Sequence, residues 1–300
     1  MDFIEAIILG LVQGLTEFLP ISSSAHLRIV GELAGWGDPG ATFTAITQLG
    51  TELAVIIFFR REIGRIISKW FRSLGGGGGR RSAGIQKGDP DVRMGWLIIV
   101  STIPIVIAGY LLQDTIRTSF RSLWIVAIVL IVFGVLLGLA DQLGRRTKSQ
   151  DDISYRDGIL IGLAQMLALV PGVSRSGAST SAGLALGYER PAAAQFSFLL
   201  AVPAVFGAGL YETYTALTCD PTAAKDIAAG CGTGYGLPET VVATLVAFGV
   251  GLAVIAFLMN YIKTKSFLPF VIYRIVLGIV LIVLLSIGVL QALPAVAGAG

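Results

Sequence analysis

Glu17, His26 and Arg175 stand out first, because each is an ionisable side chain inside a long apolar stretch. Ionisable groups are costly in hydrocarbon and tend to mark functional positions. Glu17 follows Gln13 by four residues, which places both on one helix face. A carboxylate there suits a hard cation such as Mg²⁺ or Ca²⁺, and it equally suits a general base or a counter-charge for an arginine. His26 titrates near neutrality and can transfer a proton or attack phosphorus, while a lone histidine also serves as a hydrogen-bonded structural group. Ser22, Ser23 and Ser24 lie between them. Serines at such breaks cap helices, and at most one of the three is expected to act as a nucleophile.

A second polar cluster reads Ser174-Arg175-Ser176, with Ser179 and Thr180 just beyond. The arginine fork matches phosphate or carboxylate, and flanking hydroxyls with glycine-permitted backbone amides would complete an anion cradle. Arg175 could instead pair with Glu17, and a substrate could displace that pair. Arg274, some way into the last apolar stretch, reads as a snorkelling side chain near the cytoplasmic end. Glu52, one turn after Gln48, is a weaker candidate for the same cavity. Taken together these groups suit a phosphorylated headgroup, and chemistry alone leaves hydrolysis and transport both open.

The elements that position them must be membrane helices. Apolar residues make up 54% of the 300 and charged residues only 14%, whereas a soluble domain carries about 25% charge. That excludes a soluble enzyme, a nucleic-acid binder and a disordered chain. The net charge of +3 is too small to indicate a polyanionic partner, and the single histidine excludes a multi-histidine metal centre. The start, with Asp2 and Glu5, lacks the basic residues of a secretory signal and is expected to be mature sequence. Cys219 and Cys231 make neither a disulfide framework nor a metal site, although a loop outside the membrane would permit them to pair.

Six stretches are long and apolar enough to cross a bilayer: 41–59, 94–112, 124–140, 192–211, 240–259 and 267–290. Two more, 3–34 and 158–188, are interrupted by proline and serine, at Pro20-Ile21-Ser22 and at Pro171-Gly172-Val173-Ser174. Broken backbone survives in a bilayer only where protein or a water-filled cavity surrounds it, so both are expected to be re-entrant helical hairpins. The loops 60–93, 141–157 and 260–266 carry most of the lysine and arginine, which assigns them to the cytoplasm. Six crossings and two hairpins then place all three on one side and both termini outside. Gly75 to Gly79 reads as a flexible linker and 295–300 as a frayed tail.

The two broken segments repeat each other. Gly10-Leu11-Val12-Gln13 and Pro20-Ile21-Ser22 match Gly162-Leu163-Ala164-Gln165 and Pro171-Gly172-Val173-Ser174, with Gln48 and Gln195 following at similar distances. The crossings give the copies opposite senses. The expected fold is therefore an all-α polytopic membrane protein, six transmembrane helices plus two re-entrant hairpins in an inverted-topology repeat, with the ligand site where the broken helices meet. It forms a single integral membrane domain over 1–300. Repeat one covers about 1–112 and includes the cytoplasmic loop 60–93, repeat two covers about 158–259, and the last span is 267–290.

The run from Gln13 to His26, Gln-Gly-Leu-Thr-Glu-Phe-Leu-Pro-Ile-Ser-Ser-Ser-Ala-His, resembles the first signature of the bacterial undecaprenyl-diphosphate phosphatase family, the bacitracin-resistance type. Pro171-Gly172-Val173-Ser174-Arg175-Ser176-Gly177 resembles the second, and stretches around Gln48, Phe196 to Pro203 and Tyr273-Arg274 are also similar. The resemblance implies a multi-pass plasma-membrane hydrolase that releases phosphate from undecaprenyl diphosphate and returns the carrier lipid for peptidoglycan synthesis. It implies a divalent cation, Mg²⁺ or Ca²⁺, held by Glu17 and Gln13. Catalysis would fall to Glu17, Ser23, His26 and Arg175, leaving Ser23, His26 and water as alternative nucleophiles. Substrate contacts would come from Arg175 with Ser174, Ser176 and Gly172, and from Ser179, Thr180, Ser22, Gln48 and Arg274. The active site would open to the outer face. The partners are then a polyprenyl diphosphate and the bilayer, with no nucleic acid and with a homodimer open to it. Two positions depart from the family pattern. Gln13 stands where glutamate is frequent, and Ser179 stands where threonine is common. The alternative function is a lipid-phosphate flippase or ion-coupled transporter using the same repeat.

Overall fold

The computed structural model describes residues 2–74, 88–117, 120, 122–218 and 236–293. Cys219, Cys231, the Gly75–Gly79 linker and the 295–300 tail lie outside the described residues. The described chain is helical: α1 (Phe3–Thr16), α2 (Ser23–Leu33), α3 (Gly40–Phe58), α4 (Arg60–Leu74), α5 (Pro90–Leu111), α6 (Gln113–Arg117), α7 (Leu123–Leu143), α8 (Tyr155–Met166), α9 (Arg175–Ala185), α10 (Arg190–Thr218), α11 (Leu237–Tyr261) and α12 (Leu268–Ser286).

Six of these, α3, α5, α7, α10, α11 and α12, are long and apolar enough to cross a membrane, and each coincides with one of the stretches read from the sequence. Their outer faces carry exposed aliphatic side chains, among them Ile128, Val132, Leu245 and Val276. That pattern suits contact with lipid rather than water. The protein is a multi-pass membrane protein.

The two interrupted segments each form a pair of short helices. α1 and α2 have 14 and 11 residues, about 21 and 17 Å at 1.5 Å per residue, too short to cross about 30 Å of hydrocarbon. α8 and α9, with 12 and 11 residues, repeat the arrangement. This is consistent with re-entrant hairpins.

Each hairpin packs on a span of the other half: α1 lies against α11, and α8 lies against α5. The repeated Gly-Leu-x-Gln motif makes both contacts. A Cβ on Gly10 would stand 2.5 Å from the Ala243 carbonyl oxygen, and one on Gly162 would stand 2.2 Å from that of Ser101. Only glycine permits such approach. Gln13 and Gln165, three residues on, are both fully buried. Where the halves meet, α3 packs on α10 and α7 on α12.

The basic loops gather at one end. Arg93 bonds the Asp151 carbonyl, Glu62 accepts from Gln150 (2.8 Å) and from Gln195, and Asp141 pairs with Arg190 (2.5 Å) while accepting from the Phe267 amide (2.9 Å). Gly162→Val is expected to push α8 off α5 and cost ~1–3 kcal/mol or more, read as a lowered thermal midpoint of the detergent-solubilised protein.

Candidate functional site

The two breaks meet back to back. Their local conformations mirror each other: Ser22 and Ser174, the residues just before α2 and α9, both have positive φ, 74° and 69°. Non-glycine residues rarely adopt this region, and where they do the surroundings hold them there. Here the opposite turn does so. Ser22 Oγ accepts from the Gly172 amide (3.2 Å), and Ser176 Oγ donates to the carbonyls of Glu17 and Leu19 (both 3.3 Å).

Arg274 closes the junction, and it does not snorkel. It is 0% exposed, and its guanidinium donates to the carbonyls of Leu130 (3.2 Å), Pro20 (3.0 Å), Gly172 (2.7 Å) and Val173 (3.0 Å). The breaks create carbonyls that no helix satisfies, and this fork supplies their donors, which holds the side chain inward.

Glu17 is the centre of the polar cluster. Its Oε2 accepts from Gln13 Nε2 (2.7 Å) and from Ser23 Oγ (2.5 Å), while Oε1 pairs with Arg175. Arg175 Nη2 also lies 3.5 Å from Glu52 Oε1. The sequence singled out Glu17 and Arg175 separately; the fold brings them into contact across the two repeats.

These groups head a cavity of about 520 Å³. Glu17, Ser22, Ser23, Ser24, Ser174 and Arg175 line its inner end, with Gln48 beside them. Apolar residues such as Ile105, Val106, Ala204 and Val205 line the shaft, and Tyr110 and Tyr211 stand further out. The shaft runs along α3, α5 and α10 toward the end opposite the basic loops. Glu212, also on the lining, accepts from Thr42 Oγ1 (2.7 Å); nothing in its sequence neighbourhood had marked it.

Several residues expected at the site stand elsewhere. His26 does not line the cavity; Nδ1 meets the Ser22 carbonyl (2.7 Å) and Nε2 the Tyr273 hydroxyl (2.7 Å). The α2 turn carries Ser23 inward, and the same geometry turns His26 toward α12. Ser179 bonds the Arg175 carbonyl (2.6 Å) and Ser197 Oγ (2.5 Å), while Thr180 is buried in α9. Gly172, Ser176 and Arg274 belong to the scaffold between the breaks rather than to the cavity lining.

A polytopic helical bundle with a charged, hydroxyl-rich head to an intramembrane apolar shaft defines a membrane protein built to receive an anionic group on an apolar tail. Residues 6–280 match the family model described as bacitracin resistance protein BacA, and the chain belongs to that family. It is 65% identical over 292 residues to a protein named undecaprenyl-diphosphatase from Clavibacter michiganensis subsp. michiganensis, covering 97% of this chain and all of the relative. Proteins of the same name from Micrococcus luteus and Paenarthrobacter aurescens are 62% and 53% identical, each match covering 97% of this chain and all of the relative.

Arg274→Leu would take their donor from the three buried carbonyls of the breaks, Pro20, Gly172 and Val173. The expected loss is ~3 kcal/mol or more, seen as a drop in thermal stability in detergent along with loss of activity.

Proposed function

We propose that the chain hydrolyses undecaprenyl diphosphate to undecaprenyl phosphate and inorganic phosphate, recycling the carrier lipid for peptidoglycan synthesis and conferring bacitracin resistance. The observation that carries this reading is the trio Ser23, Glu17 and Arg175 at the head of the apolar shaft. The names of the relatives support it. The diphosphate occupies the head, held by the Arg175 fork with Ser174 and Ser22 beside it. The prenyl chain follows the apolar shaft. The basic end faces the cytoplasm by its charge, so the cavity opens to the outer face and both termini lie outside.

Ser23 is a hydroxyl in hydrogen-bond contact with a carboxylate, the arrangement of an activated nucleophile. Glu17 takes its proton as Ser23 Oγ attacks the terminal phosphorus. The bond from that phosphorus to the bridging oxygen breaks, and undecaprenyl phosphate leaves with the electron pair. Glu17 gives that proton up to the departing undecaprenyl phosphate. Water then attacks the phosphoserine as Glu17 takes its proton, the bond from phosphorus to Ser23 Oγ breaks, inorganic phosphate leaves, and Glu17 returns the proton to Ser23. Arg175 stabilises charge on the phosphoryl oxygens throughout. His26, bonded to the Ser22 carbonyl, positions the turn that carries Ser23.

The cation expected from the resemblance meets a donor set that suits it in part. Glu17 Oε1 faces away from Ser23 and is an oxygen ligand of the type hard cations take. Gln13 donates Nε2 to Glu17 Oε2, and its own amide oxygen Oε1 is buried without a hydrogen-bond partner among the described residues, an oxygen that could join Glu17 as a ligand. When bound, the cation would neutralise charge on the phosphoryl group.

Phosphate release from a polyprenyl diphosphate in detergent tests the reading. Glu17→Ala and Arg175→Ala are each expected to slow turnover at least ~10³-fold (~4 kcal/mol); activity within about tenfold of the parent would overturn these roles. Substrate labelled at the terminal phosphate should leave label on Ser23 after a rapid acid quench. Label on His26, or none on the protein, would remove Ser23 as nucleophile.

A further inference from the structure

Helix α4, at the basic end, contributes nothing to the cavity lining, yet its apolar and basic side chains fall on separate sides. It follows the span α3 directly and packs on the start of α5. On the packed side Ile66 is buried, and the Trp70 ring lies on Gly95 and edge-on to Trp96, with centroids 5.3 Å apart. Tryptophans collect in this way at the level of lipid headgroups. α4 therefore lies where two spans leave the bilayer. Another side faces away from the protein: Ile67, Phe71 and Leu74 are each at least half exposed. Such a stripe is unfavourable in water and suits the edge of the hydrocarbon.

The basic side chains of α4 divide into two sets. Arg65 pairs with Asp91 (2.8 Å), and Lys69 pairs with Asp89 (2.9 Å) and Asp91 (2.8 Å). Arg60 and Arg61 are exposed and have no carboxylate partner among the described residues. Arg60 Nη1 donates only to the Ile57 carbonyl (3.0 Å), and the carboxylate of neighbouring Glu62 is taken by Gln150 and Gln195. Arg60, Gly64, Ile67 and Phe71 are spaced i, i+4, i+7 and i+11, which is one stripe of the helix. Along it stand a cation, a gap and an apolar track. The gap is open: a Cβ on Gly64 would meet no atom within 4 Å. Gly64 is four residues from Arg60 and three from Arg61, so both arginines neighbour it.

We infer that α4 carries a binding site for an anionic phospholipid of the leaflet at the basic end, its phosphodiester held by Arg60 and Arg61 over Gly64 and its acyl chains against Ile67, Phe71 and Leu74. The guanidinium fork matches phosphate oxygens. Buried apolar area and basic charge act together in holding anionic lipid. The site stands apart from the cavity and does not depend on the phosphatase reading. The experiment is native mass spectrometry of the full-length protein in detergent, titrated with phosphatidylglycerol or with phosphatidylcholine. The parent holds phosphatidylglycerol at least tenfold more tightly than phosphatidylcholine. Arg60→Gln combined with Arg61→Gln removes that preference. Gly64→Leu fills the gap, keeps every charge and favours the helix; it weakens phosphatidylglycerol binding at least fivefold. Ile67→Ser combined with Phe71→Ser weakens both lipids. Glycerol phosphate, which has the charge without the chains, does not compete at equal concentration. Should the arginine double variant misfold, as judged by gel filtration, Gly64→Leu carries the test. Equal parental affinity for the two lipids overturns the inference, as does an undiminished preference in the arginine double variant. Parental binding in Gly64→Leu also overturns it, because the arginines would then act only as diffuse surface charge. Displacement of the lipid by glycerol phosphate would make this a site for free phosphate and sink the lipid assignment.

Discussion

The structure depends on satisfying backbone that is interrupted where no water is assured. Two chain breaks leave carbonyls and amides without helical partners, and hydrocarbon offers none. The solution is to set the breaks against each other. Ser22 accepts from the amide of Gly172, Ser176 donates to the carbonyls of Glu17 and Leu19, and Arg274 gathers four carbonyls from three segments. These are the bonds that also bring Glu17 to Arg175. Assembly of the reactive cluster and completion of the fold are therefore one event.

The division of labour in the cavity follows from the same junction. The Glu17–Arg175 pair and the serines sit at the inner end, where the breaks meet, while the shaft is made from the sides of spanning helices and is lined in good part by their apolar residues. A headgroup and a tail are thus sorted by the architecture itself. Specificity for the charged end comes from a few fixed donors, and the apolar length asks only for greasiness.

Much of this was legible in the chain. The six spans were readable because length and apolarity are local properties, and the breaks because proline and serine interrupt them. The convergence of Glu17 and Arg175 was readable from the repeat, since matched broken segments of opposite sense have one natural meeting place. What escaped depends on side-chain direction at a junction of several elements. His26 lies three residues after Ser23, but the α2 turn aims it at Tyr273 rather than into the cavity. Arg274 looked like an end-of-helix side chain, whereas the unpaired carbonyls that hold it inward belong to segments about 100 and 250 residues away. The Gly-Leu-x-Gln motif was visible as a repeat, yet its reason, the close approach of each hairpin to a span of the opposite half, exists only in three dimensions.

That exchange of hairpins has a mechanical corollary. Each half reaches across and is fastened to its counterpart through glycine contacts that leave no space for sliding. Two interlocked halves resist rocking past one another as rigid bodies, the motion that carriers with reversed repeats use to expose a site alternately to each side. An architecture of reversed repeats is here clasped like folded hands, and the freedom that remains belongs to side chains at the palm rather than to the halves themselves.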